Sequence, residues 1–255
     1  MIARPSAAQL WFRSYIQTYL ERDVRTVSEI RDLSTFRRFL SLLALRCGQM
    51  LHKTDLAAPL GVSVPTISAW LSILETTVQI ILIPFYENFG KRLVKSPKLY
   101  LVDSGLACHL LGITSDRELN RSPFLGALFE GFVASEIVRQ QLNEGQREEV
   151  YCFRDQQGLE VDLVVPRGNR ALTLLEIKAS RTVIPSMAEP VVRLRRAMRQ
   201  YDVTSLVVHR RASDGEDTAT VREGVRAVSL EQLLSVLTRS RRRRRSRSPS
   251  EEQRR

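Results

Sequence analysis

The chain has 255 residues, of which 43% are hydrophobic, and this apolar content allows one large folded domain or two smaller ones. The three cysteines, Cys47, Cys108 and Cys152, are odd in number and form no CxxC pair. This pattern argues against a disulfide framework or a zinc site and is typical of a reducing cytoplasm. The first residues lack the pattern of a signal peptide, and no apolar run approaches the roughly 20 residues of a membrane helix. We therefore expect a cytoplasmic protein with no membrane partner.

The formal net charge of +11 is concentrated at one end of the chain. Residues 239–255 contain nine arginines and two glutamates, so they contribute +7, and the preceding residues carry +4. A tail of this composition predicts disorder and a general affinity for polyanions. Positive charge in the rest of the chain indicates nucleic-acid binding only where it is clustered.

Helical periodicity dominates the first part of the chain. Residues 7–49 carry apolar stripes at helical spacing, and residues 53–60 and 64–75 predict two further helices separated by a short turn at 61–63. Two strands at 78–83 and 99–103 flank a polar loop. We interpret residues 1–49 as a helical segment and residues 50–122 as a winged helix-turn-helix, in an all-α/winged-helix module.

Basic residues in the predicted wing are candidates for phosphate contacts. They are Lys91, Arg92, Lys95 and Lys98. The second helix of the helix-turn-helix, in contrast, exposes no Arg, Lys, Asn or Gln that could make bidentate contacts to bases. Two interpretations remain open: nonspecific DNA binding through the wing, and a structural or protein-docking role.

The pattern changes to strands after a helix at residues 124–143. Strands are predicted at 151–154, 159–165 and 172–178, a helix at 187–201, strands at 205–208 and 226–228, and a closing helix at 230–237. The order α-β-β-β-α-β predicts an α/β domain with a mixed sheet over residues 123–238. Residues 239–255 form the tail.

Charged side chains interrupt two of these apolar strands. Glu160 and Asp162 share one face of their strand, and Glu176 and Lys178 share one face of the next. Buried charges are costly unless they are paired or bound to a metal. Hydrolysis of a phosphodiester requires a screened phosphate and an activated water, which Mg²⁺ held by carboxylates can provide. Glu160 is expected to be a structural acid rather than a ligand.

Arginines recur on the helix that follows these strands, at Arg193, Arg195, Arg196 and Arg199. They form either a solvated helix face or part of a nucleic-acid groove beside the carboxylates. On the helix that precedes the strands, Glu136 is a further candidate for the site, and Glu130 is expected to cap or to pair with an arginine.

The spacing of Asp162, thirteen intervening residues and then Glu176 and Lys178, with a glutamate on the preceding helix, resembles the PD-(D/E)XK restriction-endonuclease-like fold over residues 124–208. The resemblance implies that Asp162 and Glu176 bind Mg²⁺ or Mn²⁺, that Lys178 acts on the attacking water and that Glu136 assists. The sequence departs from the family name at Val161, where a proline would stand.

Four longer runs resemble the C-terminal half of a bacterial and archaeal group of AAA-type ATPases. They are residues 15–23 (YIQTYLERD), 91–98 (KRLVKSPK), 100–106 (YLVDSGL) and 126–130 (GALFE). The resemblance covers about residues 10–235. In that group an ATPase domain precedes a winged helix and a nuclease-like domain of unassigned function. The resemblance implies that residues 1–49 are a remnant of the ATPase lid or linker.

No GxxxxGK[ST] phosphate loop is present in the sequence. Its Gly90-Lys91 pair has Phe85 where the loop requires glycine, so we expect no ATP site and no ATPase activity. The predicted function is DNA binding with a candidate Mg²⁺-dependent nuclease site. The alternative is a catalytically inactive interaction or regulatory module that pairs with a separate AAA-type ATPase subunit.

Overall fold

The computed structural model describes residues 5–20, 33–86, 96–168, 170–210 and 218–245. The chain divides into two compact units, Met1–Ser135 and Glu136–Arg255, and the boundary between them falls inside one long helix. Helices and a mixed sheet make the protein α/β, as the sequence predicted. The helical segment 21–32 of the prediction lies outside the described residues.

The first unit consists mainly of helices. In chain order its elements are α1 (Pro5–Tyr15), a π-helical turn (Ile16–Leu20), α2 (Leu33–Leu45), α3 (Lys53–Leu60), α4 (Val64–Thr76), β1 (Ile80–Ile83), β2 (Lys98–Leu101), α5 (Ser104–Leu110), α6 (Asp116–Arg121) and the first part of α7 (Leu125–Asn143). The helices predicted at 53–60 and 64–75 are confirmed. The short helix α6 was not predicted from the sequence, because its residues lack an apolar stripe.

A tight turn joins α3 to α4, and the two helices are bent by 113°. Gly61 ends α3 in the left-handed conformation with φ of 66°, and the Ser63 hydroxyl caps α4 by accepting from the Thr66 N–H at 3.2 Å. The antiparallel pair β1–β2 follows, with Ile80 opposite Leu101. Among the described residues no single helix is long and apolar enough to cross a membrane; α3 and α4 reach that length and apolarity only as this bent pair.

The second unit is built on a mixed sheet. Its elements are the remainder of α7, β3 (Tyr151–Arg154), β4 (Glu160–Pro166), β5 (Ala171–Lys178), a 3₁₀ turn (Pro185–Ala188), α8 (Glu189–Ala197), β6 (Asp202–His209), β7 (Thr218–Arg222), β8 (Val225–Val228) and α9 (Leu230–Arg245). Within the described residues the strand order is β3-β4-β5-β6-β8-β7. The predicted order α-β-β-β-α-β is confirmed.

Two elements of this unit differ from the sequence prediction. The helix predicted at 187–201 begins as a 3₁₀ turn, and its α-helical part ends at Ala197. At the chain's end, α9 continues to Arg245, which corrects the prediction of disorder for residues 239–245. Arginine is a good helix former, so a helix nucleated by the preceding apolar residues continues through it. The tail residues 246–255 lie outside the described residues.

The register of β4 and β5 positions the site. The two strands are antiparallel, with Leu163 opposite Leu175 and Val164 opposite Leu174. Continued by one residue, this register sets Asp162 opposite Glu176. On its other edge β5 pairs in parallel with β6, so β5 lies between two strands and is buried along nearly its whole length.

Arg195 ties α8 to the turn between β7 and β8. Its Nη1 donates to the Gly224 carbonyl at 2.8 Å, and its Nη2 donates to the Glu223 carbonyl at 3.1 Å. Gly224 has φ of 71°, and a Cβ at this position would overlap the Arg195 guanidinium. The turn therefore needs glycine for its conformation and for this close approach.

Gly224→Ala is expected to lower the free energy of unfolding by about 2–3 kcal/mol, measured by urea denaturation. Left-handed backbone strain costs about 1–2 kcal/mol, and displacement of the guanidinium removes hydrogen bonds worth about 1 kcal/mol each. Gly145→Ala is the matched control, because Gly145 has φ of 67° with open space around it. Equal losses in the two variants would contradict the role of the Arg195 contacts.

Candidate active site

A cleft of about 360 Å³ opens in the second unit beside β4, β5 and α8. Four carboxylates and one guanidinium line it: Glu160, Asp162, Glu176, Glu189 and Arg193. The cleft therefore contains both predicted metal ligands. It also contains Glu160, which the sequence suggested as a structural acid, and Glu189, which was not predicted to belong to a site.

The carboxylates of Asp162 and Glu176 accept hydrogen bonds from the backbone of β5 and from the side chain of Lys178, respectively. Asp162 Oδ2 accepts a hydrogen bond from the Ile177 N–H at 2.7 Å, which links its side chain to the neighbouring strand. Lys178 Nζ donates to Glu176 Oε1 at 2.6 Å. Glu176 is only 4% exposed, whereas the Lys178 side chain is 36% exposed. The structure thus brings Asp162, Glu176 and Lys178 together where β4 and β5 pair.

Glu136 is engaged within its own helix. Its Oε1 lies 2.5 Å from Arg139 Nη1, an i, i+3 ion pair on α7. Glu136 does not belong to the described lining of the cleft. The structure therefore brings three of the four predicted catalytic side chains together and leaves Glu136 in a local pair.

The donor set of the cleft is compatible with a hard divalent cation. Asp162 and Glu176 supply carboxylate oxygens, which Mg²⁺ prefers, and this ion retains several waters when few protein ligands hold it. Within the described part of the chain, no three or more His, Cys, Asp or Glu side chains converge to hold a metal ion. The residues therefore fit Mg²⁺ or Mn²⁺ held by two carboxylates and water. They do not form the three- or four-ligand set typical of zinc.

Two arginines are candidates to pair with Glu189 at the cleft. Glu189, the first residue of α8, forms an ion pair with Arg222 of β7. Arg193 has the i, i+4 spacing from Glu189 that favours a pair within a helix. Within the described residues, however, Arg193 forms no salt bridge, and its side chain is exposed at the cleft. Arg222 therefore pairs with Glu189, and the Arg193 guanidinium remains beside the other carboxylates.

The predicted wing is only partly described. Lys98 is 6% exposed, and its Nζ lies 3.1 Å from Glu130 Oε1, which also accepts from the Tyr100 hydroxyl at 2.5 Å. An ammonium buried in this pair is not available to a phosphate, which corrects the assignment of Lys98 as a DNA contact. The same contact gives Glu130 a lysine partner rather than the expected arginine. Lys91, Arg92 and Lys95 lie outside the described residues.

Burial makes Cys47 and Cys108 poor nucleophiles. Cys47, Cys108 and Cys152 are free thiols. Burial raises the pKa of Cys47 to about 11, and burial also raises the pKa of Cys108. At neutral pH both are therefore protonated, whereas the thiolate is the nucleophile and metal ligand.

Comparison with known proteins finds matches for both parts of the chain. Residues 2–117 match the family described as Domain of unknown function (DUF8612), and residues 125–233 match Domain of unknown function (DUF4143). Uncharacterized proteins of Mycobacterium tuberculosis and Mycobacterium bovis are each 33% identical over 227 residues, which cover 89% of this chain and 48% of each relative. The chain thus spans about half the length of the curated relatives it matches.

One solved structure also aligns with the chain. It is the half-complex from a tetradecameric assembly of Thermococcus gammatolerans McrB AAA+ hexamers with bound McrC. The alignment covers 76% of this chain and 70% of that chain, at 12% identity and a TM-score of 0.29. A TM-score this low carries no structural argument.

Proposed function

We propose that the second unit is a metal-dependent phosphodiesterase that acts on DNA, with a site of the PD-(D/E)XK type. The supporting observation is that Asp162 and Glu176 face one cleft from adjacent strands, with Lys178 bound to Glu176. The element order α7-β3-β4-β5-α8-β6 is consistent with the α-β-β-β-α-β order expected of that fold.

Each side chain of the cleft has a distinct proposed role. A Mg²⁺ or Mn²⁺ ion held by Asp162 and Glu176 would screen the charge of the phosphate and lower the pKa of the attacking water. The Ile177 N–H fixes the Asp162 carboxylate through its bond to Oδ2. Glu176 Oε1 holds the Lys178 ammonium beside the carboxylates, where it would orient the attacking water.

A cleavage assay tests this proposal. The purified 255-residue chain is mixed with plasmid DNA and Mg²⁺ or Mn²⁺, and nicking is compared with that of the Asp162→Asn variant. Nicking that the substitution abolishes supports the phosphodiesterase. Identical background nicking in both proteins excludes it.

The exposed arginines of α8 extend the proposed substrate surface beyond the cleft. Arg193 lines the cleft, Arg196 lies about one helical turn further, and Arg199 follows just after the helix. All three are exposed, and within the described residues none forms a salt bridge. We call these three residues the arginine stripe and propose that they contact successive phosphates of DNA.

Alanine substitution of the whole stripe is expected to weaken the salt dependence of DNA binding. Each lost phosphate contact reduces the slope of log K against log salt by about 0.9 on duplex DNA, so the triple variant should lose about 2–3 from the slope. Fluorescence anisotropy with a labelled duplex over a salt series measures it.

Arg226→Ala is the charge-matched control for the arginine stripe. Arg226 is exposed on β8, where it pairs with Leu206, so its side chain points away from the face that carries Glu176. Both proteins keep the arginine-rich tail, so its contribution cancels. The quantity to compare is the change in the slope of log K against log salt for each arginine removed. An equal change in Arg226→Ala and in the triple variant would refute the arginine stripe as the DNA surface.

We also propose that the first unit forms a winged helix. The bend between α3 and α4 and the antiparallel pair β1–β2 support this interpretation. The exposed face of α4 contains Ala69, Ser72 and Glu75 and has no side chain suited to bidentate base contacts. Nonspecific contact with phosphates through Lys91, Arg92 and Lys95 is therefore the mode of DNA binding proposed for the first unit.

The second candidate function is a catalytically inactive module that pairs with an AAA-type ATPase. The favouring observation is that residues 15–23, 91–98, 100–106 and 126–130 resemble the part of AAA-type ATPases that follows the ATPase domain. The sequence itself lacks the phosphate loop of an ATPase. Under this proposal the carboxylates of the cleft have a structural role. The wild-type protein and Asp162→Asn should then show identical background nicking of plasmid DNA.

A further inference from the structure

A pocket of about 250 Å³ lies in the first unit, between α1, the π-helical turn, α2 and α5. Its polar lining consists of side chains that can donate hydrogen bonds: Arg13, Gln17, Arg37, Ser41 and His109. The apolar residues Ile16, Leu40 and Leu110 complete it. No carboxylate occurs among the described residues that line this pocket, which include two guanidiniums.

Contacts from α1 define the surroundings of His109. The ring of Phe12 stacks on the imidazole, with centroids 5.6 Å apart and an interplanar angle of 28°. Burial and, secondly, the positive charge of Arg13 lower the pKa of His109. At neutral pH the imidazole is therefore mainly neutral, while both guanidiniums keep their charge. A neutral imidazole can still donate one hydrogen bond.

The composition of the pocket matches a phosphate group. Guanidiniums bind phosphate oxygens through paired, charge-assisted hydrogen bonds, and Arg13 and Arg37 come from two different helices. A hydroxyl and an imidazole add neutral donors, and the apolar residues suit the body of an organic phosphate. We propose that Arg13, Arg37 and His109 form a binding site for a phosphate-bearing ligand, separate from the carboxylate cleft.

Titration of His109 by NMR tests this site in the 255-residue chain. Inorganic phosphate is expected to raise the pKa of His109, because the bound anion offsets the charge of Arg13. Each unit of increase corresponds to about tenfold tighter phosphate binding by the protonated form. Sodium chloride at the same ionic strength is the control for screening. His109→Gln assigns the resonance among the three histidines of the chain.

Two variants distinguish binding from a general charge effect. Arg13→Gln is expected to raise the pKa of His109 without phosphate and to weaken phosphate binding at least about tenfold. Arg117→Gln, which removes an exposed arginine of α6 outside the pocket, should change neither. A His109 resonance that keeps its dispersion shows that each variant is folded. Arg37→Gln is the second pocket variant and should weaken phosphate binding similarly.

Two further ligands distinguish whether the bound phosphate group belongs to a small molecule or to a nucleic acid. Saturation by a nucleoside monophosphate at lower concentration than inorganic phosphate would identify a small phosphorylated molecule. Saturation at low concentration by a short DNA strand alone would identify a nucleic-acid backbone. A His109 pKa that responds to no ligand beyond the chloride control, or responds equally in Arg13→Gln, would overturn the site.

Discussion

Asp162→Asn is expected to reduce Mg²⁺-dependent cleavage of plasmid DNA by at least about a hundredfold, because it removes one of the two charges proposed to hold the cation. The amide retains an oxygen that can accept from the Ile177 N–H, so the pairing of β4 with β5 should survive. Glu176→Gln should have a similar effect, with the Lys178 ammonium sufficiently exposed to remain solvated.

Glu136→Gln is the matched control for these substitutions. It makes the same carboxylate-to-amide change outside the described lining of the cleft, in a side chain paired with Arg139. We expect it to retain most of the wild-type cleavage rate, although the family resemblance implies an assisting role. A loss as large as that of Asp162→Asn would place Glu136 in the catalytic machinery and contradict the geometry described above.

Lys98→Ala is expected to lower the free energy of unfolding by about 3–5 kcal/mol, the usual cost of removing one partner of a buried ion pair. The Lys98 and Glu130 side chains are only 7% and 15% exposed, so the glutamate would remain poorly solvated beside Tyr100. Urea denaturation measures the loss. DNA affinity should stay unchanged, because the ammonium is not presented to solvent.

Two comparisons isolate the contribution of burial. Arg46→Ala breaks an exposed pair with Asp55, with side chains 37% and 45% exposed, and should cost at most about 1 kcal/mol. Lys98→Met combined with Glu130→Gln should recover part of the stability, since it removes both buried charges and keeps an acceptor for the Tyr100 hydroxyl. Reduced DNA affinity with full stability in Lys98→Ala would restore Lys98 as a DNA contact.

Local patterns in the sequence predicted much of the second unit. The period of two correctly assigned Glu160 and Asp162 to one face of β4, and Glu176 and Lys178 to one face of β5, because strand alternation depends only on neighbouring residues. The register that sets Asp162 opposite Glu176 follows from continuous antiparallel pairing. The element order followed from apolar periodicity and turn residues.

Contacts between residues distant in sequence were not predictable in this way. Lys98 appeared to belong to the basic loop because it follows Lys95, but its environment depends on Glu130, 32 positions away. Glu189 resembled an ordinary acid at a helix start, and its place in the cleft depends on how α8 packs on the sheet. In the sequence, the only local signal for this side of the cleft was an acidic residue in the first turn of α8 followed by arginines.

Binding of Mn²⁺ to the 255-residue chain tests directly whether the cleft holds a cation, because the measurement requires no known substrate. Isothermal titration calorimetry of wild type, Asp162→Asn, Glu176→Gln and Glu136→Gln provides the comparison. We expect a binding event that is lost in the two cleft variants and retained in Glu136→Gln. Equal Mn²⁺ binding by all four proteins, or no binding by wild type, would contradict it.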